Sequence, residues 1–443
     1  MPGVEPSFGA LTILRRLPLL LFAAGAPLLV ALLSVPGLAQ PVLEEERLGM
    51  PVPGEMLEQR FERRQPPIGA RLGAFWVKPE LALDERLDDN IFATPSGRRA
   101  DAITSLAGRT NVDYAQGPLA FHFEGALAGH KYAVNTTESE WEALGRLAFS
   151  DQVYHNLQLG FGSGVQRLIL PRDSPTGING LRPTTYQVYD GHADALLGDP
   201  LLNVLHARVG ANRLSYDPLV GLLGPINTSE RNRVEVYGDL RLDHYAFGLQ
   251  KVFAHVRPNA RIYDQRFDTG GLQRSSAGVR GGVGAVMDFG PIVLTLDAGY
   301  QLQNYDDVRF GAITEPDAAL LISWWPTLLT NLRLEAKHEY EEDFYLTSPG
   351  AVRNVVEAHI GHELHRRVIL DLSFRTDLRS TVKVSQFIRI EQAGAKLRYQ
   401  FAEGFSADVE YLFTHQHASA GATLNNTGNF DENILQFTVR KLF

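Results

Sequence analysis

Apolar and polar residues alternate along most of this chain, from Arg71 to its last residue. In 233–242 the even positions are apolar or small and the odd positions are mostly charged, and in 292–302 an apolar row faces polar residues. A period of two places successive side chains on opposite faces of a β-strand. The pattern therefore predicts an all-β chain whose strands each have one apolar face and one polar face.

The connections between these strands alternate between tight and long. Short periplasmic turns opposite long extracellular loops are typical of outer-membrane barrels. We therefore predict a single antiparallel transmembrane β-barrel of about 18 strands, within a range of about 16 to 18, with both chain ends in the periplasm. Tight turns are predicted near 116–118, 198–200, 243–244, 289–291, 325–326, 365–366 and 403–404, and longer loops at 84–100, 171–184, 217–230, 258–271, 306–315 and 417–429.

The amino-terminal segment has the features of a secretory signal. Two arginines precede an apolar run over 17–35, and Gly37-Leu38-Ala39 supplies small residues at a cleavage site. This predicts a signal peptide over 1–39. An uncleaved anchor helix is the alternative, which the prolines within the run disfavour. Residues 40–70 are charged and contain proline without a sustained period, so they predict a periplasmic tail before a barrel over 71–443.

Composition removes several classes of function. The chain of 443 residues has no cysteine, which excludes a disulfide framework and thiolate chemistry. Its formal net charge of −9 disfavours nucleic acid as a partner. The partners expected of an outer-membrane barrel are lipid, lipopolysaccharide and the barrel-assembly machinery.

The carboxyl-terminal strand ends on an aromatic residue. Leu435, Phe437, Val439 and Phe443 share one face and form the predicted barrel-assembly signal. Lys441 departs from this row, where such barrels usually carry an apolar residue. A long lysine side chain can extend to the membrane interface, so the departure weakens the prediction only slightly.

A segment near the start of the predicted barrel resembles a known family. Gly69-Ala70-Arg71-Leu72-Gly73-Ala74-Phe75-Trp76 leads into Pro79 and then into Asp88-Asp89-Asn90-Ile91-Phe92. This is similar to the opening of the type 2 outer-membrane β-barrel porin family. The resemblance implies a barrel in the outer membrane of a Gram-negative bacterium. Members are often encoded beside exopolysaccharide genes, so it also implies a polysaccharide conduit with a periplasmic export partner.

The sequence contains only weak candidates for a catalytic or metal-binding site. The helical zinc motif places two residues between its glutamate and second histidine, and His362-Glu363-Leu364-His365 has one. On a strand His359 and Glu363 would share a face that His362 does not. His415 and His417, and the pair His122 and Glu124, specify no geometry either. We predict no metal, no cofactor and no catalytic residue, and hence no enzyme.

The charged residues on the polar faces are the most plausible functional surface. Rings of charge set selectivity in pores; alternatively, such residues form cross-strand ion pairs that fill and stiffen the lumen. Acidic and basic residues look balanced, which predicts no strong ion selectivity and lacks the arginine excess expected of a conduit for an acidic polymer. The predicted pore-lining residues are Arg146, Arg208, Arg233, Glu235, Asp239, Arg241, Asp297, Arg333, Glu335, Lys337, Glu339, Asp371 and Arg375.

Two rows of glycines stand out within the predicted strands: 160, 162 and 164 in one, and 278, 282 and 284 in the other. Glycines at such positions usually let a barrel bend and close; alternatively, they admit a plug or a substrate close to the wall. We favour the first interpretation.

Three functions fit a barrel of this kind. The first hypothesis is a channel for export of a surface polysaccharide. The second is a general diffusion porin for small hydrophilic solutes, often with a loop folded inward. The third is a structural surface barrel whose lumen is closed.

Overall fold

The structure is a computed structural model of the chain. It describes Leu57, Arg60, Phe61 and residues 69–443, except 176, 179, 200–201, 247–249, 343–347 and 420–427. The predicted signal peptide and most of the predicted tail lie outside the described residues, so those boundaries stay predictions. No helix in the described part of the chain is long and apolar enough to span a membrane.

Antiparallel strands account for most of the described residues. Two short 3-10 helices, Thr136–Glu138 and Ser229–Arg231, lie in connections. The strands are β1 (Ala70–Leu72), β2 (Phe75–Asp88), β3 (Asp101–Gln116), β4 (Leu119–Tyr132), β5 (Glu140–Tyr154), β6 (Leu157–Leu170), β7 (Thr184–Asp199), β8 (Asn203–Tyr216), β9 (Leu219–Gly221), β10 (Gly224–Ile226), β11 (Arg233–Tyr245), β12 (Lys251–Tyr263), β13 (Ser276–Asp288), β14 (Ile292–Tyr305), β15 (Ala312–Thr327), β16 (Thr330–Glu341), β17 (Ala351–His365), β18 (Val368–Thr381), β19 (Phe387–Ala402), β20 (Phe405–Ala418) and β21 (Phe430–Leu442).

The long strands form a closed barrel. Each pairs with its neighbours in chain order, β8 pairs with β11, and β2 pairs with β21 to close the ring. In the described ranges 18 long strands make this wall, and the prediction of an antiparallel barrel of that size is confirmed. β1 forms a small hairpin with β2, and β9 and β10 pair within the connection between β8 and β11.

The two rims of the barrel differ as predicted. One rim, the turn rim, has short connections such as the one at Gly117, and the other, the loop rim, has the long ones. Both ends of the described barrel meet at the turn rim, where the amide of Gly69 donates to the carbonyl of Phe443 at 2.7 Å. A turn that was not predicted lies at 155–156, between β5 and β6.

Some predicted turns and loops lie inside strands, such as the turn at 243–244, which β11 passes through to Tyr245. β12 continues through Pro258, which was placed in a loop, as far as Tyr263. The pairing of β11 with β12 is interrupted between the pairs Tyr237–Asn259 and Leu240–Val256, and Pro258 lies within this interruption. Because proline has no N–H, its place there costs no hydrogen bond between the two strands. Similarly, β15 runs past the predicted turn at 325–326.

The outer and inner faces of the wall differ in polarity. Large apolar side chains stand exposed on the outer face, among them Leu83, Val283 and Tyr300. Aromatic residues such as Trp324 and Phe443 are also exposed, near the turn rim. An apolar band with aromatic residues at its edge matches the lipid-facing surface of a membrane barrel.

The glycine rows face inward and make room for side chains of the next strand. A Cβ atom at Gly160, Gly162 or Gly164 would overlap Asp194, His192 and Asp190 of β7, respectively. In the second row a Cβ at 278, 282 or 284 would likewise overlap the side chains of Gln303, His255 and Phe253. The contacts therefore support close packing between neighbouring strands as the role of these glycines, rather than the predicted bending of the strands.

Candidate functional site

The predicted pore-lining residues lie on the face of the wall opposite to the exposed apolar rows. On β11, for example, Val236 and Leu240 are exposed on the outer face while Glu235 and Asp239 alternate with them on the inner face. Each of the predicted residues has a charged or histidine partner. The ion pairs join Arg146 with Glu124, Arg208 with Asp194, Arg233 with Glu235, Asp239 with Arg257, Arg241 with Asp243, Arg333 and Lys337 with Glu335, Glu339 with Arg353, and Arg375 with Asp377, while Asp297 lies beside His255 and Asp371 beside His359. Their effect on selectivity stays a prediction.

One carboxylate on the inner face is shared by three guanidinium groups. Asp377 accepts from Arg353 Nη2 at 2.6 Å, from Arg375 Nη2 at 3.2 Å and from Arg379 Nε at 3.4 Å. The side chain of Asp377 is only 3% exposed, whereas that of Arg375 is 35% exposed. The carboxylate of Asp377 therefore lies against the wall, and the guanidinium group of Arg375 extends past it into the lumen.

The same arrangement recurs elsewhere on the inner face. Glu335, 20% exposed, lies beneath Arg333 and Lys337, which are 39% and 45% exposed. Asp243 is almost fully buried beneath Arg241 and Lys251. Short acidic side chains remain at the wall while long basic ones extend past them. At these three sites the acidic and basic groups are thus separated by depth.

A loop between β6 and β7 is fixed to its neighbours by polar contacts. Arg172 forms a two-point ion pair with Glu138, at 2.8 Å and 2.7 Å, and both side chains are largely buried. The amide of Leu181 donates to the carbonyl of Val220 at 2.8 Å. These contacts hold the 171–183 loop against the connections on both sides of it.

The same loop reaches into the lumen. Loss of surrounding water raises the pKa of the Asp173 carboxyl above its ordinary value, and the charges that oppose this shift are those of Arg86 and Arg379. Arg86 lies on β2 and Arg379 on β18, on the far side of the barrel from β6. The guanidinium carbon of the neighbouring Arg172 lies 5.7 Å from the ring centroid of Phe92 in the β2–β3 connection, so the loop extends from β6 toward β2.

A second connection narrows the loop rim from another side. Glu342, just after β16, forms an ion pair with Arg261 of β12, and Ser276 Oγ donates to it at 2.9 Å. The hydroxyl groups of Tyr305 and Tyr340 lie 2.6 Å apart beside it. Because β12 and β16 are separated along the wall by three strands, this contact spans part of the opening.

The histidines singled out in the sequence take part in pairwise contacts. His359 Nε2 lies 2.7 Å from Glu357 and His362 Nδ1 lies 2.9 Å from Thr330, while His122 lies 2.6 Å from Asp113. Within the described ranges, no group of three or more potential ligands is arranged to hold a metal ion.

A serine, a histidine and a glutamate do meet on the inner wall, a feature that sequence reasoning missed. Ser105 Oγ lies 2.8 Å from His130 Nδ1, and His130 Nε2 lies 3.4 Å from Glu142. The three residues come from adjacent strands: Ser105 is the register partner of His130, and Glu142 lies two residues along β5 from Glu140, the partner of His130 on that side. Only strand pairing could have revealed them. The backbone amides around these residues donate to the neighbouring strands. They therefore form no oxyanion hole, which needs free amides directed at the reacting oxygen. The contact is a cross-strand polar pair of the wall.

The predicted barrel-assembly residues lie on the outer face of the closing strand. Phe437, Val439 and Phe443 are exposed there, on β21 and directly after it. Lys441 Nζ lies 4.1 Å from the ring centroid of Phe405, so the departing residue contacts an aromatic ring at the turn rim. Recognition by the assembly machinery stays a prediction.

The apolar outer face, the polar lumen and the two unequal rims define an outer-membrane β-barrel channel. The family model described as putative beta-barrel porin 2 matches residues 65–443, and the chain belongs to this family. It is therefore a porin-type barrel of the outer membrane of a Gram-negative bacterium, from a family of channels.

Known structures with a similar fold have little sequence identity to the chain. OpdK from Pseudomonas aeruginosa is 11% identical with a TM-score of 0.45, and the match covers 83% of this chain and 99% of OpdK. OccAB4 from Acinetobacter baumannii is 13% identical with a TM-score of 0.47, covering 84% and 99%. OccK2 (OpdF) from Pseudomonas aeruginosa, in complex with glucuronate, is 9% identical with a TM-score of 0.47, covering 83% and 98%. No curated protein sequence matches the chain.

Proposed function

We propose that the barrel is a diffusion channel for small hydrophilic solutes, with its narrowest part near the loop rim. The observation that carries this proposal is the loop that follows β6, where Arg172 is paired with Glu138 and also lies 5.7 Å from the ring centroid of Phe92 in the β2–β3 connection. A loop across the bore limits the size of the solute that passes. A lumen of ion-paired side chains offers water and polar solutes hydrogen bonds along the whole path.

Export of an acidic surface polysaccharide is the second candidate. The exposed cationic heads above Asp377 and Glu335 favour it, since they could bind successive anionic groups of a polymer. The inward 171–183 loop opposes it, because a bulky polymer would have to displace that loop. An exporter would also need a periplasmic partner to drive transport.

Permeation of graded sugars distinguishes the two candidates. The mature chain, reconstituted in liposomes, is expected to admit mono- and disaccharides and to exclude longer neutral and acidic oligosaccharides. Equal permeation of acidic oligosaccharides and monosaccharides would overturn the small-solute proposal in favour of export. Absence of all permeation from folded barrels would favour a closed structural barrel.

A variant of the loop anchor tests where the constriction lies. Replacing Arg172 and Glu138 together by alanine removes the ion pair that fixes the 171–183 loop. We expect a larger single-channel conductance and a higher size limit for sugars. The matched control is Arg213→Ala with Asp264→Ala, which removes an exposed ion pair elsewhere on the loop rim. If the two double variants conduct alike, the loop does not set the constriction.

A further inference from the structure

Three residues that precede the barrel in the chain are buried at its turn rim. Leu57, Arg60 and Phe61 have helical backbone and are 2%, 2% and 3% exposed. A solvated periplasmic tail would leave such side chains open to water. Their burial means that this part of the predicted tail has a docking surface on the barrel.

The contacts locate that surface on β16 to β19. The amide of Leu57 donates to Asn331 Oδ1 at 3.2 Å, and Arg60 Nη1 donates to the carbonyl of Leu328 at 2.6 Å. Leu57 and Phe61 pack with Ile369 in one apolar cluster. The Phe61 ring centroid is 5.9 Å from the guanidinium carbon of Arg398.

The docking surface lies on the inside of the barrel. Asn331 pairs with Gly361 across β16 and β17, and Ile369 pairs with Arg398 across β18 and β19. Their chain neighbours Ile360 and Leu397 are exposed on the outer face. Since side chains alternate along a strand, residues adjacent to outward ones point inward.

Two features of this inner surface are unusual for a channel wall. Ile369 is an apolar residue beside the ion pair of Arg398 and Asp408, and it is 5% exposed. An added Cβ at Gly361 would lie 2.6 Å from Asn331 Oδ1, the atom that accepts from the amide of Leu57, so the glycine leaves room for this contact. An apolar side chain at this place favours contact with Leu57 and Phe61 over contact with water.

We propose that the segment containing Leu57 and Phe61 is a plug that docks on the inner face of β16 to β19 and narrows the turn-rim mouth. The occupant is thus a part of the same chain, ahead of its first strand. Release of the plug would widen the mouth from which solutes enter or leave. This gate is separate from the loop constriction at the opposite rim.

Charged substitutions test the effect of the plug on conduction. Leu57→Asp with Phe61→Asp in the full mature chain would place carboxylates against an apolar cluster and expel the segment. We expect single-channel conductance to rise by roughly a factor of two, because the segment would no longer occupy part of the turn-rim mouth. Leu57→Met with Phe61→Leu is the matched control, because it keeps the apolar packing.

Thiol labelling tests docking without any conduction, and the absence of native cysteine makes it specific. A cysteine at position 61 is expected to react with a bulky polar maleimide about tenfold more slowly than one at the exposed position 72, since it reacts only when the plug opens. Leu57→Asp should abolish this difference. Equal labelling rates in the unaltered background would overturn docking. Slow labelling with unchanged conductance of the charged variant would overturn gating, whereas permeation of small sugars separately decides the proposed function.

Discussion

The amide of Asn433, in the last strand, donates to Asp89 Oδ1 in the first long loop at 2.7 Å, and Asn433 Nδ2 donates to Asp89 Oδ2 at the same distance. The next residue, Asn90, donates from Nδ2 to the carbonyl of Asp431 at 2.9 Å. The Asp-Asp-Asn segment that carries the family resemblance thus joins the first loop to the closing strand. This segment lies at the seam of the barrel, by which we mean the pairing of β2 with β21 that closes the ring.

Asn90→Ala is expected to weaken this seam. Asn90 is fully buried, and its amide group also donates to the carbonyl of Thr94 at 3.0 Å and accepts from the amide of Thr94 at 3.1 Å. Each buried backbone group left without a partner costs about 1–3 kcal/mol. The measurement is the temperature at which the folded band is lost in a detergent gel. Asn227→Ala, at an exposed loop position, is the control, and equal temperatures for the two variants would contradict a role in closure.

The pattern along the chain predicted the wall of the barrel but not the elements that narrow it. Alternation alone places Glu235 and Val236 on opposite faces, because the period of a strand is a local property. The position of the 171–183 loop depends on contacts of Arg172 with Glu138 and Phe92, which are distant in sequence. Contacts between residues that are distant in the chain leave no periodic pattern of apolar and polar positions in the sequence.

The amino-terminal segment shows the same limit. Residues 40–70 have no sustained period and were therefore interpreted as a tail. The burial of Leu57 and Phe61 depends on Ile369, more than three hundred residues away in the chain. Likewise, the sharing of Asp377 by three arginines requires the register of β17 and β18, which composition does not contain.

Asp377→Asn is expected to make the lumen more selective for anions. The substitution leaves Arg353, Arg375 and Arg379 without the carboxylate that they share, so their charge is no longer balanced at that level of the bore. Removing one partner of a buried ion pair typically costs about 3–5 kcal/mol, so the unfolding midpoint should also fall. The measurement is the reversal potential across a bilayer in a salt gradient. Asp264→Asn, at the loop rim, is the control. Equal reversal potentials for the two variants would show that the charges around Asp377 do not govern permeation.

The loop between β14 and β15 is expected to loosen in acid. Hydrogen bonds from the Arg309 side chain, with further ones from the amides of Gln273 and Arg309, hold the pKa of Asp307 well below its ordinary value of 3.8. A lowered pKa in the folded state contributes stability above the unfolded pKa, and this contribution is lost as the pH falls below it. Protection of the amides of Gln273 and Arg309 from hydrogen exchange, corrected for the intrinsic rate, should therefore decrease below about pH 4.

Asp307→Asn is the control for that measurement, since an asparagine cannot be protonated in this range. Its protection should be low and independent of pH between 3 and 6. If the unaltered protein also shows no change in protection over this range, the carboxylate does not hold the loop in place.

Gly162→Val is expected to destabilise the wall between β6 and β7. A side chain at this position would overlap the imidazole of His192, which occupies the space above the glycine. Overpacking of this kind typically costs about 1–3 kcal/mol, and the displaced imidazole would also move relative to Asp194, its neighbour at 3.8 Å. The measurement is the denaturant midpoint of the refolded barrel in detergent. Gly129→Val is the matched control, because an added Cβ there meets nothing within 4 Å. A midpoint for Gly162→Val that equals the control would mean that His192 has room to move, and that the glycine row serves the bending of the strands after all.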